Sequence, residues 1–152
     1  MTGDLPFATT LEVRDHCLCL ATQRAARALA RRFDAALRPV GLTNGQFSLL
    51  HAINRPEPPR MTDLAPFLAM DRTTLTAALK VLERDGLATS APDPDDRRNR
   101  RLRLTPAGHD RLARAMPLWR AAHVALDAGL DPGQMAALRG GLAAMARPPA
   151  TE

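Results

Sequence analysis

The stretch from residue 61 to 104 constrains the fold more than any other part of the chain, because two short helical patterns and two strand-like runs follow one another within it. Asp71 is a good N-cap for the second helix, and Gly86 is well placed to end it. The runs LATSA at 87–91 and RLRLT at 101–105 alternate with period two and flank a turn-rich, charged segment. We therefore predict a helix, a tight turn, a second helix and a β-hairpin with a charged tip.

Helical patterns continue on both sides of this stretch. Apolar residues at three- and four-residue steps predict one long helix from about Thr9 to Leu37. Cap residues predict the starts of the other helices. These caps are Thr43, Thr62, Asp71, Thr105 and Asp131. The expected fold class is mainly α with a small β-hairpin wing, the winged helix-turn-helix order.

Length and composition agree with a single folded domain. The chain has 152 residues, of which 45% are hydrophobic and 24% charged, so wholesale disorder is excluded. No apolar run approaches the roughly 18 residues that span a bilayer, and the first residues lack a signal-peptide pattern, so we expect a cytoplasmic protein with no membrane partner. Residues 1–7 and 147–152 are expected to be flexible ends.

The positive charge of the chain is carried almost wholly by arginine side chains. The formal net charge is +5, and Lys80 is the only lysine. Arginine suits phosphates and guanine edges, although an Arg-, Ala- and Pro-rich composition also reflects a GC-rich coding sequence. Both explanations stay open at this point.

The second helix of the pair is the candidate recognition helix, because in winged helix-turn-helix proteins this helix enters the major groove. Its first turns carry hydroxyl and cationic side chains that can hydrogen-bond phosphates and base edges. The candidate residues are Arg72, Thr73, Thr74, Thr76 and Lys80. A merely solvated helix face is the alternative.

The hairpin tip is the second candidate DNA contact. It concentrates positive charge behind three aspartates, with Arg97, Arg98, Arg100 and Arg101 as the candidate residues. An outward carboxylate would repel DNA, so we infer that Asp96 faces inward and orients Arg98 toward the minor groove or the backbone. A salt-bridge network within the hairpin, without any partner, is the alternative.

These segments together resemble the MarR family of transcription regulators over roughly residues 10–146. The resemblance is carried by GLTNGQFSLLHAI at 41–53, by residues 61–87, and by DPDDRRNRRLRLTPAGHDRL at 93–112. It implies a homodimer in which residues 8–40 and 106–146 intertwine, while residues 41–105 form the DNA-binding head. It also implies that the two heads of the dimer bind a pseudo-palindromic operator in double-stranded DNA. Most relatives act there as repressors, and a signal releases them from the DNA.

Cys17 and Cys19 are the candidate sensor residues. The string LCLA at 18–21 is similar to the region where OhrR relatives carry a hydroperoxide-sensing thiol, and the matching residue is Cys19. Those relatives hold the thiolate with tyrosine hydroxyls, and this chain has no tyrosine. In one continuous helix the two side chains would point about 200° apart and could not readily bond. A redox switch supported by His16 or Arg14, a ligand pocket and dimer-core packing are the three open interpretations.

A small-molecule signal is the other expectation. Many MarR relatives respond to small aromatic or phenolic carboxylates bound between the dimer helices and the head. Candidate pocket residues combine apolar faces with polar ends. They are Arg24, Phe47, His51 and Trp119, together with either cysteine.

Two other functional classes are weighed against a DNA-binding regulator. An enzyme would need a nucleophile with its base, a metal cluster or a glycine-rich phosphate loop, and the sequence contains no such pattern, so neither enzyme activity nor a cofactor or metal is expected. A winged-helix module that binds protein rather than DNA is compatible with the fold alone. The arginines at the hairpin tip argue against that module.

Overall fold

The computed structural model describes residues 4–96 and 98–146. It is mostly helical with one two-stranded hairpin, so the predicted fold class is confirmed. The elements are α1 (Phe7–His16), α2 (Leu18–Leu37), a short 3-10 turn (Arg38–Val40), α3 (Asn44–Ile53), α4 (Met61–Phe67), α5 (Arg72–Arg84), β1 (Ala88–Pro92), β2 (Arg100–Leu104), α6 (Pro106–Asp127) and α7 (Pro132–Met145). Arg97 and the ends of the chain at 1–3 and 147–152 lie outside the described residues.

Leucine side chains build the core of the head. In α5, Leu75, Leu79 and Leu82 recur at four- and three-residue steps, so they share one face and are all buried. That face packs with Leu50 of α3 and Leu102 of β2 in one cluster. The opposite face of α5 is left free for solvent or for a partner.

The predicted caps are confirmed at four helix starts. Thr43 and Gln46 form a capping box on α3. The side chains of Asp71, Thr105 and Asp131 accept backbone N–H groups at the starts of α5, α6 and α7. Each of these bonds satisfies a backbone donor that the helix itself leaves unpaired.

The predicted cap at Thr62 is wrong. The cap is Arg60 and helix α4 begins at Met61, two residues earlier than predicted, and the carboxylate of Asp63 accepts the backbone N–H of Arg60 at 3.3 Å. The Thr62 hydroxyl instead accepts a hydrogen bond of 2.9 Å from the side-chain amide of Asn99, near the hairpin tip. A contact between residues so far apart in sequence overrides the local capping preference.

The first predicted helix is broken in two at Cys17. This residue is extended, with φ −74° and ψ 104°, and its Sγ accepts the backbone N–H of Leu20 at 3.4 Å to cap α2. Helix α1 has no buried residue, so no packing holds it in line with α2. The prediction of one continuous helix is therefore wrong, and helical periodicity no longer fixes the relative placement of Cys17 and Cys19.

The hairpin has the predicted strands and a further contact at its edge. Ala88 pairs with Leu104 and Pro92 with Arg100 in antiparallel register. Gly86, at φ +70°, ends α5 in the left-handed region and turns the chain into β1. The backbone N–H of Leu102 donates to the Pro59 carbonyl at 3.0 Å, so the chain before α4 lies along β2 like a third strand.

Helices α1, α2, α6 and α7 leave large apolar side chains uncovered in the single chain. These are Phe7, Val13, Leu18, Leu29, Val124, Leu138, Leu142 and Met145. Within residues 4–96 and 98–146, no helix combines the length and the apolar character needed to cross a membrane.

Candidate nucleic-acid interface

Helix α5 presents a polar face on the side opposite its leucines. Arg72, Thr73 and Lys80 are exposed, as the sequence analysis requires of a recognition helix. Two other candidate hydroxyls are engaged within the helix. Thr74 donates to the Asp71 carboxylate at 2.6 Å, and Thr76 donates to the Arg72 carbonyl at 2.7 Å. The candidate side chains whose donors are free of these internal bonds are therefore Arg72, Thr73 and Lys80.

Asp71 stays ionised at the start of α5. The hydroxyl of Thr74, followed by its backbone N–H at 2.8 Å, lowers the pKa of Asp71 below its ordinary value. A carboxylate at this end also offsets the positive pole of the helix dipole. Phosphate attraction at this helix must therefore come from the side chains of Arg72 and Lys80.

The wing arginines divide into exposed and engaged groups. Arg98 is exposed, and its backbone N–H donates to the Asp96 carboxylate at 3.0 Å. The guanidinium of Arg100 donates to the hydroxyl and the carbonyl of Ser90, at 2.9 and 2.8 Å, and so lies along β1. Of the three candidate wing arginines that the structure describes, Arg98 is the one that is exposed and whose guanidinium takes part in none of the hydrogen bonds or ion pairs of the described residues.

The inference that Asp96 faces inward is wrong, because Asp96 is exposed. The buried carboxylate is Asp93, which is fully inaccessible to solvent. Its Oδ2 accepts from Arg60 Nε at 2.5 Å and lies 3.2 Å from Arg101 Nε. We call Arg60, Asp93 and Arg101 the wing anchor. Asp96 shapes the tip locally, by holding the backbone of Arg98.

The wing anchor removes Arg101 from the set of free cations. Its guanidinium faces Asp93 and Asp95, although the side chain is still 29% exposed. The backbone N–H of Asp95, which donates to Asp93 Oδ1 at 2.9 Å, is the main cause that lowers the pKa of Asp93, and Arg60 and Arg101 lower it further. Arg101 thus takes part in a salt-bridge network at the hairpin.

Sequence reasoning missed Arg60 and Asp93 for a physical reason. They are 33 residues apart, and only the pairing of the pre-α4 chain with β2 brings them together. The sequence held one local signal for Asp93. This residue comes directly after a strand, at a position where a side chain of the hairpin can point back toward the head.

Three of the predicted pocket residues line one cavity of about 610 Å³, which we call the central cavity. Phe47 and His51 are 4.6 Å apart between ring centroids, and Phe47 and Trp119 are 6.1 Å apart. Partial burial lowers the pKa of His51 below its ordinary value, which favours the neutral ring. Arg55 and Phe67, which were not predicted as pocket residues, also line this cavity.

The other predicted pocket residues lie elsewhere. Arg24, Cys17 and Cys19 are not among the residues that line the central cavity. Cys19 is exposed and Cys17 is half-buried as the cap of α2.

The residues expected to support a thiolate have other partners. Arg14 forms an ion pair with Asp15 at 2.6 Å, and the His16 ring is bonded to the Glu12 carbonyl at 3.0 Å. No group of three metal-ligating side chains occurs within the part of the chain that the structure describes.

Solved structures with this architecture include proteins described as regulators of transcription. The MarR family model matches residues 42–99, which hold α3, α4, α5, β1 and the hairpin tip. The structure superposes on the DNA complex of the transcriptional regulator MosR of M. tuberculosis with a TM-score of 0.78 and 39% identity, covering 86% of this chain and 94% of that one. The chain belongs to the MarR family.

Further MarR-family likenesses include another DNA complex. The transcriptional repressor CouR bound to a 23-mer duplex is 32% identical, with a TM-score of 0.79 over 95% of this chain and the whole of that one. The transcriptional activatory protein BadR of Rhodopseudomonas palustris is 34% identical over 88 residues, 56% of this chain and half of BadR. The chain spans between half and two thirds of the length of the curated relatives it matches.

Proposed function

We propose that this MarR-family chain is a dimeric, sequence-specific DNA-binding regulator that represses transcription until a signal releases it. The observation that carries the proposal is the exposed polar face of α5, with Arg72 and Lys80, on the same head as a wing that exposes Arg98. The two relatives described as DNA complexes, MosR and CouR, support DNA as the partner. In the proposed complex, α5 enters the major groove and the wing reaches the backbone or minor groove.

The dimer is proposed from the apolar surface that a single chain leaves uncovered. Val124 of α6 is 70% exposed and Met145 of α7 is 54% exposed, and a partner helix layer would remove such side chains from water. We assign residues 8–40 and 106–146 to this dimerisation region and residues 41–105 to the DNA-binding head. A twofold dimer would place its heads on a pseudo-palindromic operator with half-sites about 34 Å apart.

The signal is proposed to be a small aromatic carboxylate in the central cavity. Phe47 and Trp119 offer aromatic walls, and Arg55 offers the cation that a carboxylate needs. Thiol oxidation is the second candidate signal, favoured by the exposure of Cys19 at the start of α2. The sign of regulation follows CouR, described as a repressor, rather than BadR, described as activatory.

The test is fluorescence anisotropy with a duplex that the protein itself selects from a randomised library. Binding should weaken steeply with salt, and Arg98→Ala should lower the slope of log affinity against log salt by about 0.9 for each phosphate that is no longer neutralised, or about 1.8 for a dimer. Arg114→Ala, which removes an exposed cation of α6, is the matched control and should leave the slope unchanged. Failure to enrich any duplex would refute the proposal and favour a protein-binding module.

The two signals are separated in the same assay. Addition of 4-hydroxybenzoate should weaken binding in wild type and less so in Arg55→Met if the central cavity is the sensor. Mild hydroperoxide should weaken binding reversibly in wild type, but not in Cys19→Ser, if the thiol is the sensor. Indifference to both reagents would refute both proposed signals.

A further inference from the structure

The sequence RPEPPR, residues 55–60, connects α3 to α4, and we call it the proline segment. At its first residue it forms part of the central cavity. Arg55 Nε donates to the Ala52 carbonyl at 3.0 Å, and the guanidinium carbon lies 5.2 Å from the centroid of the Phe67 ring. Both of these contacts are within reach of a ligand in the cavity, because Ala52 and Phe67 also line it.

At its last residues the proline segment is part of the wing. The Pro59 carbonyl accepts the backbone N–H of Leu102 at 3.0 Å, and the backbone of Arg60 forms an isolated antiparallel β-bridge with that of Arg101 in β2. The Arg60 side chain holds Asp93 in the wing anchor. A shift of this end would therefore move β2 and the anchored base of the wing.

The segment is too stiff to absorb a displacement between its two ends. Pro56, Pro58 and Pro59 make up half of its residues. Each proline fixes φ near −65° and restricts the residue before it, so the chain behaves as a semi-rigid spacer. Pro59 is buried and Pro56 is exposed, which leaves the cavity end the freer of the two.

Arg55 also has space into which it can move. Beyond the central cavity it lines a cavity of about 540 Å³ shared with Arg60 and Arg101, and a smaller one of about 240 Å³ shared with Arg103 and His109. Arg55 thus borders the proposed ligand site and two openings beside the wing strands. A change of its partners need not meet a packed wall.

We infer that the proline segment couples the central cavity to the wing. An anionic ligand group that draws Arg55 away from Phe67 and the Ala52 carbonyl would displace the segment and, through Pro59 and Arg60, the base of the wing. The inference rests on the proposed function, since it concerns the regulation of the same cavity and the same DNA contact.

Coupling between two sites is reciprocal in binding free energy. If the cavity acts on the wing, then duplex DNA bound at the wing must also act on the cavity. Trp119 lines the cavity and is the only tryptophan of the chain, so its emission reports on the cavity without interference. The coupling can therefore be tested with DNA alone, before any ligand is identified.

The experiment measures Trp119 emission with and without a saturating amount of the selected duplex, in the full-length protein. We expect the duplex to change the emission in wild type and to change it by less than half as much in the double variant Pro56→Gly, Pro58→Gly. Pro39→Gly, a change at an exposed proline outside the segment, is the matched control and should respond like wild type. Anisotropy on the same samples shows whether DNA is bound.

The outcomes separate this inference from the proposed function. No duplex binding would overturn both, whereas binding without any change in Trp119 emission would overturn the coupling alone. A full emission change in the double variant would show that another route, such as α6 itself, carries the effect, and it would overturn the role of the segment. If the double variant does not fold, Pro56→Gly alone, at an exposed position, should show a reduced response, and an undiminished one would overturn the inference.

Discussion

At Gly108, helix α6 lies directly against the main chain that leads into β1. A Cβ added at this position would lie 2.0 Å from the carbonyl oxygen of Leu87 and 3.0 Å from its carbonyl carbon. That oxygen accepts the backbone N–H of Thr105 at 3.1 Å, so it is held in place from the other side as well. A backbone carbonyl in such a position cannot move aside as the end of a flexible side chain would.

The structure fixes the size of the effect expected for Gly108→Ala. The added methyl would have to retreat by about 1.4 Å, from 2.0 Å to the 3.4 Å at which ordinary contact begins. Forcing an extra carbon into packed surroundings costs about 1–3 kcal/mol, and a weakened Thr105–Leu87 hydrogen bond costs about 1 kcal/mol more. The better helix propensity of alanine offsets at most about 1 kcal/mol. We therefore expect the free energy of unfolding to fall by about 1–3 kcal/mol.

The assay is urea unfolding followed by circular dichroism, with every variant at the same protein concentration, because the proposed dimerisation would add to the measured stability. Gly45→Ala is the matched control, since its added methyl would meet only Thr43 Oγ1 at 4.0 Å. The control should stay within about 0.5 kcal/mol of wild type or become slightly more stable. Equal unfolding midpoints for Gly108→Ala and Gly45→Ala would refute the reasoning.

Three further predictions concern the wing, the cavity and a cap. Asp93→Asn should loosen the wing, visible as faster hydrogen exchange in β2, and should weaken DNA binding. Because the pKa of Asp93 is lowered in the folded protein, its carboxylate contributes stability above the ordinary pKa of 3.8, and this contribution is lost as the pH falls below that value. The variant should therefore lose less hydrogen-exchange protection of the wing in acid than wild type does. His51, whose pKa is lowered by burial, should titrate below 6.5 by NMR. Its protonation in acid should therefore lower the free energy of unfolding. A free energy of unfolding that falls between pH 7 and 5 by the same amount in His51→Gln as in wild type would contradict this. Thr105→Val should lower the melting temperature by removing the side-chain cap of α6, at a cost of about 1 kcal/mol, and an unchanged melting temperature would argue against the cap.

The two elements proposed to contact DNA could be predicted from the sequence because their signals are local. The order of α5 and the hairpin is written in a capping aspartate, a terminating glycine and two runs of period two. Such signals act over at most four residues, and here nothing distant opposes them. The same locality explains the error at Thr62, since a partner in the hairpin tip competed for its hydroxyl.

The division of labour among the wing arginines could not be read in this way. Arg98 and Arg101 have the same chemistry and nearly the same place in the sequence, yet one is exposed and the other faces a buried carboxylate. Arg98 lies in the tip outside β2, whereas Arg101 lies within β2, where pairing with Arg60 places it beside Asp93. The string RRNRR at 97–101 carries no information about which arginine faces a carboxylate.

The sequence by itself determined the fold class, four of the helix caps and the hairpin, because turn chemistry, capping and hydrophobic periodicity depend on neighbouring residues alone, and it carried the resemblance to the MarR family. Only the tertiary structure decided that Asp93 rather than Asp96 anchors the wing, that α1 and α2 part at Cys17, and that Arg55 stands between the cavity and the wing. Each of these depends on which distant segments pack together and on which stretches, such as α1, gain no packing at all. That outcome is a property of the whole chain, since burial and long-range pairing set the local preferences aside.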